Sequence, residues 1–146
     1  MLHQSPQAKG KAPIPFNPIG GTVMAAVFEA SFASVAYTTA TDGIELGAIP
    51  AECTVIGVEA ISSSLGTISV DVGWIDGTYG DNDDSRNVGD EFIDGVAITS
   101  APAKATTLAC LAEGRSGNLR ALGAVLSADV AAGAGKKLTV VVHYTT

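Results

Sequence analysis

From Val23 onward, apolar and polar residues alternate in short runs, each bounded by Gly, Pro, Asn, Asp or Ser. In "GTISVDVGWI", Ile68, Val70, Val72 and Trp74 fall on one face, while Thr67, Ser69, Asp71 and Gly73 fall on the other. A period of two with one apolar face is the mark of a half-buried β-strand. The closing "KKLTVVVHYTT" repeats it, with Leu138, Val140, Val142 and Tyr144 opposite Thr139, Val141 and His143. Four further runs read as strands on the same grounds: "CTVIGVEAI" around residues 54–61, "FIDGVAI" around 92–98, "TTLACLA" around 106–112 and "LRALGAVL" over 119–126. "VFEASFASVAYTT" fits two periods, since Phe28, Phe32 and Val35 suit a helical face and Phe28, Ala30 and Phe32 a strand face. Its Thr and Tyr content and its neighbours favour a strand.

About seven or eight short strands with glycine-rich turns predict an all-β fold, an antiparallel β-sandwich of jelly-roll-like build. Residues 1–22 stand apart. They hold Pro6, Pro13, Pro15 and Pro18 without periodicity, and "KAPIPFNPIGG" lacks the backbone donors that a central strand needs. We read residues 1–22 as an extended arm and residues 23–146 as one sandwich domain. Ile14, Phe16 and Ile19 give the arm apolar anchors that a solvated tail does not need, so it is expected to dock on another chain.

Composition sharpens this picture. Hydrophobic residues make up 47% of the 146 positions and charged residues 16%, with few aromatics, so the core is expected to be built of Ala, Val, Ile and Leu. The formal net charge is −7, and the eight Lys and Arg are scattered instead of forming a stripe, which disfavours nucleic-acid binding. No uncharged apolar run reaches the roughly 18 residues that span a bilayer, and the first residues carry no apolar segment of the kind that directs export. No membrane role and a protein made and kept in soluble form are expected. Cys53 and Cys110 lie in apolar runs and read first as two buried, reduced thiols, with one disulfide compatible but not demanded.

Candidate chemistry is sparse. "WIDGTYGDNDDSRNVGDEFIDG", residues 74–95, gathers Asp76, Asp81, Asp83, Asp84, Asp90, Glu91 and Asp94, seven of the fifteen acidic residues. A calcium loop of EF-hand type starting at Asp81 would need Gly at its sixth position and Glu at its twelfth, where Arg86 and Phe92 stand. A looser calcium site from Asp81, Asp83, Asp84 and Asp90 is the weaker reading beside a long solvated connection between strands. "AGAGKKLT" has Val130 and Lys137 where a phosphate-binding loop needs Gly and Ser or Thr, so it reads as a hairpin turn, with Gly133 or Gly135 at positive φ and lysines guarding an edge. His3 and His143 lie in no metal-ligand or catalytic spacing, and Ser62, Ser63 and Ser64 lack the glycines of a nucleophile elbow. No enzyme activity, catalytic residue, metal or cofactor is expected.

One stretch resembles a known family. "IELGAIPAECTVIGVEAISSSLGTISVDVGWIDG", residues 44–77, is similar to a pattern common in small virion proteins of tailed bacteriophages: "IPA", a "V-x-x-V" strand, a short turn and a "T-x-x-V-D-V-G" strand. The later "EFIDGVAITSA" and "LTVVVHY" fall where those proteins carry equivalents, whereas "GTYGDNDDSRNVGD" has no counterpart. The match is one of turns and strands over roughly the last two-thirds of the chain, with no catalytic signature. These capsid decoration or cement proteins are small β-sandwich or jelly-roll molecules on the outside of an icosahedral head.

The resemblance therefore implies a protein assembled in the host cytoplasm onto the outer capsid surface, with the major capsid protein as its partner. A cement that binds only the expanded shell stabilises that state by its binding free energy. An arm around Ile14, Phe16 and Ile19, with Phe16 as first anchor, would add contacts at high effective concentration. Self-association at a symmetry axis is expected, a dimer set slightly ahead of a trimer. Two rival readings stand beside it: another virion component such as a head-fibre or tail part, and a calcium-dependent surface- or carbohydrate-binding module using the acidic loop.

Overall fold

The computed structural model describes residues 1–18 and 20–146. In chain order its elements are β1 (Leu2–Gln4), β2 (Met24–Ser31), β3 (Gly43–Ile49), β4 (Thr54–Ser63), β5 (Ser69–Trp74), β6 (Ile93–Ala97), β7 (Ala103–Lys104), α1 (Thr107–Ala112), β8 (Arg120–Leu126) and β9 (Lys137–Thr145). One sheet has the order β1-β3-β8-β5-β6 and the other β2-β9-β4-β7. The antiparallel pairs β2·β9, β3·β8, β4·β7 and β5·β6 nest inside one another, so the chain behaves as one long hairpin wrapped into two sheets. This nesting makes the sandwich a jelly roll.

The core lies between the sheets and is supplied by the period-2 residues. Leu138, Val140, Val142 and Tyr144 of β9 and Ile68, Val70 and Val72 around β5 are all buried in it. Phe28 and Phe32 join them from β2 and the residue after it, while Tyr37 donates to the carbonyl of Asp42 and accepts from the amide of Leu126, both at 3.0 Å. Cys53 and Cys110 are buried and unbridged, and burial pushes both thiols up in pKa.

Several expectations change. "TTLACLA" holds a helix, α1, because the Thr106 hydroxyl accepts from the Ala109 amide at 3.1 Å and caps a run of good helix formers. Only Cys110 of α1 is buried, and Leu108 stands 80% exposed. β3 is buried along almost its whole length, with both faces covered, so it shows no alternation and escapes a period-2 reading. "AGAGKKLT" is not a hairpin turn, since β8 and β9 belong to different sheets. Gly135 is its positive-φ residue at 77°, and the lysines guard no edge because β9 runs between β2 and β4.

The expected arm divides in two. Leu2–Gln4 is a strand, the only one among the described residues with a parallel partner, paired through Leu2↔Gly43 and Gln4↔Glu45 to β3. Leu2, His3, Ser5 and Ala8 are buried, and a three-residue run is too short to show its period in sequence. His3 therefore sits in the fold, against the rings of Phe32 and Tyr37 and 3.1 Å from Asp42. Residues 6–12 form turns, with the Lys11 amide donating to Pro6 O at 2.8 Å, and extended chain on the surface begins only after residue 12.

Candidate functional site

The two sheets present very different outer faces. Beyond Trp74 the chain turns back over the larger sheet: the Ile75 amide donates to Ala121 O at 3.0 Å, Ile75 bridges Val88, and the Gly89 amide donates to Trp74 O at 2.8 Å. Ile75, Leu2 and Ala121 form a small second core under this flap, with Tyr79 and Val88 packed against it. The acidic stretch is the expected long connection between strands, with its acidic side chains exposed, and it rests on an apolar base of its own.

What holds the flap down is a cation that belongs to the chain. Arg86 is buried, donating from Nε to Asp76 O at 2.6 Å and from Nη1 to Asp81 O at 2.8 Å. Its Nη2 lies 2.8 Å from Glu45 Oε1, an ion pair that is off hydrogen-bond alignment. Glu45 is fully buried and also accepts from Gln4 Nε2 at 2.8 Å and from the Gly80 amide at 3.1 Å. Arg86 is the residue at which the EF-hand spacing fails, and its guanidinium gathers the Asp76 and Asp81 carbonyls and the Glu45 carboxylate.

The four calcium candidates are not gathered into one site. Asp83 accepts from the Ser85 hydroxyl at 2.7 Å and the Ser85 amide at 2.9 Å, which lowers its pKa. Asp84 accepts from the Leu2 amide at 2.7 Å, tying the flap to β1. Asp81 gives its backbone carbonyl to Arg86 and Asp90 lies exposed before β6. Among the described residues no three His, Cys, Asp or Glu side chains converge as metal ligands. Beside Asp84, Asp42 collects the N-terminal ammonium at 2.9 Å, the Thr38 amide at 2.8 Å and His3 at 3.1 Å. Burial alone would raise the Asp42 carboxyl, and these donors outweigh it and hold it well below the usual carboxylate range.

The smaller sheet has no such cover. β2 is its edge strand, and Ala25, Val27, Glu29 and Ser31 alternate outward with buried Ala26, Phe28 and Ala30. The extended segment runs beside this edge and is pinned at its far end: Tyr144 Oη donates to Phe16 O at 2.9 Å, Cys53 Sγ to Asn17 Oδ1 at 3.5 Å, and the Gly21 amide to Thr146 Oγ1 at 3.3 Å. Its backbone is held while its apolar side chains are not. Phe16 is 68% exposed and Ile14 44%, with Val23 and Val27 also exposed. A groove of about 210 Å³ lies between the segment and the strand, lined by Gln7, Ile14, Phe16, Met24, Val27 and Tyr144 among others.

Two of the three expected anchors, Ile14 and Phe16, therefore share one exposed patch, and the third, Ile19, lies outside the described residues. The strand beside them was read from "VFEASFASVAYTT" and is present as β2, but its place at the edge of a sheet was not foreseen. Sequence reasoning also missed the exposed Leu108 and Leu111, whose three-residue spacing was masked by a strand reading. His3 and His143 are in different sheets, and His143 is exposed on the outer face opposite Gly57.

Comparison with known proteins places this architecture. No family model matches the chain, and no curated protein matches it. Among solved structures, the chain is similar to one in the capsid of Ralstonia phage GP4, with a TM-score of 0.84 and 25% identity, covering 100% of this chain and 98% of that one. It is also similar to a chain in the capsid asymmetric unit of cyanophage Pam1, with a TM-score of 0.51 and 23% identity over 94% of each, a likeness of fold. The chain thus shares its jelly roll, along its whole length, with a component of a bacteriophage capsid.

Proposed function

We propose that this protein is a structural component of a bacteriophage virion that decorates the outer surface of the head, bound to the major capsid protein, and acts as a cement. The observation that carries this reading is the end-to-end likeness, at 25% identity, to a chain in the capsid of Ralstonia phage GP4. The motifs at residues 44–77 support it independently, and so does an exposed apolar patch whose backbone is pinned in place. An apolar side chain on a fixed backbone loses little conformational entropy on docking, which favours a permanent contact. The acidic surface suits a position away from packaged nucleic acid.

Ile14 and Phe16 are the shell-contacting residues in this reading, with Ile19 as the third. Assembly in the host cytoplasm and self-association as a dimer at a local two-fold belong to the same proposal. The test is decoration of purified heads that lack the protein. Wild-type protein is expected to bind at many symmetric positions and to raise the temperature at which heads rupture. Phe16→Ser is expected to bind markedly less while melting like the wild type. Attachment of wild-type protein at a single vertex or at the tail would replace the cement role with a head-fibre or tail role.

A further inference from the structure

β2 is an edge strand with one row of backbone groups outside the ladder. The register Ala30↔Leu138 and Phe28↔Val140, together with the Phe32 amide donating to Lys136 O at 2.8 Å, shows that even-numbered residues bond to β9. Odd-numbered residues therefore point their N–H and C=O groups away from the sheet. The carbonyl of Val27 confirms this parity, because it accepts from the Gln7 side-chain amide at 3.3 Å.

The neighbouring segment does not close this edge. Pro13 and Pro15 have no amide hydrogen to donate, so the segment flanks the strand and leaves a groove instead of adding to the ladder. The groove has the shape and chemistry of a slot for one extended chain. Its floor offers the amides of Ala25 and Val27, and one end is walled by Ile14, Phe16 and Met24. A second depression continues along β2 past Glu29 and Ser31, where Lys9 and Lys11 line it. The carboxylate of Glu29 is already engaged by Lys137 at 3.2 Å, which leaves that end of the slot positive in a chain whose net charge is −7.

We infer that β2 accepts an added strand from another polypeptide: an extended, proline-free segment of the shell subunit, apolar where it passes Phe16 and acidic where it passes Lys9 and Lys11. Only a strand satisfies a row of outward amides and carbonyls at this spacing. The two lysines select an acidic end. A second copy of this chain is the poorer occupant, because it brings another seven net negative charges to the same edge. The inference rests on the decoration reading and deepens it by naming what the site recognises.

Hydrogen exchange on wild-type protein, free and bound to heads, tests it directly. The amides of Ala25, Val27 and Glu29 are expected to exchange rapidly in the free protein and to slow at least tenfold on the head. Val27→Pro is expected to lower head occupancy at least tenfold, since it removes one outward donor without touching the β2·β9 ladder. Lys9→Glu with Lys11→Glu is expected to weaken binding in a salt-dependent way. Rapid exchange of these amides in protein that is nevertheless bound would overturn the added strand and leave decoration standing. Failure of wild-type protein to bind heads would overturn decoration and the strand together. Protection of the same amides in free protein, rising with its concentration, would assign the edge to a second copy and overturn the shell segment as occupant.

Discussion

The outer faces of the two sheets are built from the same kind of strand and end in opposite states. Over the larger sheet, the 75–91 flap lays a second small core and a buried Arg86–Glu45 pair on β3 and β8, so that face is finished within the chain. Over the smaller sheet, β2, β9 and β4 show a polar, half-exposed face and an edge whose backbone groups have no ladder partner. A closed face contributes stability and an open one is available for contact. The acidic side chains over the larger sheet stay exposed, and it is the apolar residues Ile75, Tyr79 and Val88 beneath them that close that face.

Substitutions that act on only one face should separate the two. Arg86→Met carries the largest expected effect, a loss of about 3–5 kcal/mol in urea unfolding, because it leaves the Glu45 carboxylate buried without its ion partner. The double variant Glu45→Gln with Arg86→Met should recover most of that loss; if it is as unstable as the single variant, the pair is not what holds the flap. The glycines supply a matched contrast. A Cβ on Gly123 would lie 2.9 Å from Ile44 O and from Val88 Cγ2, so Gly123→Ala should cost about 1–3 kcal/mol. A Cβ on Gly57 meets nothing nearer than His143 Nδ1 at 3.6 Å, so Gly57→Ala should leave the thermal midpoint unchanged or raise it slightly. Equal losses at both positions would erase the distinction between the faces.

The corner where β1 meets the flap adds a dependence on pH. Asp42 is held below its unfolded pKa, so its contribution is fully present above pH of about 4 and fades as pH falls toward the folded value. Asp42→Asn should therefore cost about 1–3 kcal/mol at neutral pH, and the gap to wild type should narrow below pH of about 4. A gap independent of pH would assign the loss to shape instead of charge. The smallest effect concerns calcium: with Asp81, Asp83, Asp84 and Asp90 not gathered into one site, millimolar calcium should leave the melting temperature in place, and an upward shift would revive the metal reading.

Strands that carry one wet face were legible because their period survives in sequence. β5 and β9 fall where the alternation of Ile68 to Trp74 and Leu138 to Tyr144 puts them. The misses share a cause, which is tertiary cover that sequence does not display. β3 reads as "GIELGAI", with Glu45 looking like a surface residue until Arg86, Gln4 and Gly80 are seen around it. β1 is three residues long and exists because Asp84 and Asp42, far along the chain, fasten its start. In the candidate site, Ile14 and Phe16 were visible as apolar residues among prolines. The slot beside them depends on which amides of β2 point outward, and strand parity emerges only from pairing with β9.

The nested order of the strand pairs also sets a timetable for synthesis. β5 and β6 are close in the chain and can pair as soon as both have left the ribosome, whereas β2 is made early and its partner β9 is the last strand. Until β9 emerges, β2 has two bare edges and an unburied Phe28. Chains translated close together on one message would at that stage expose identical strands to one another. The crowded nascent protein, more than the finished one, is where this sequence is most open to mispairing, and slower translation of the last strand should lengthen that exposure.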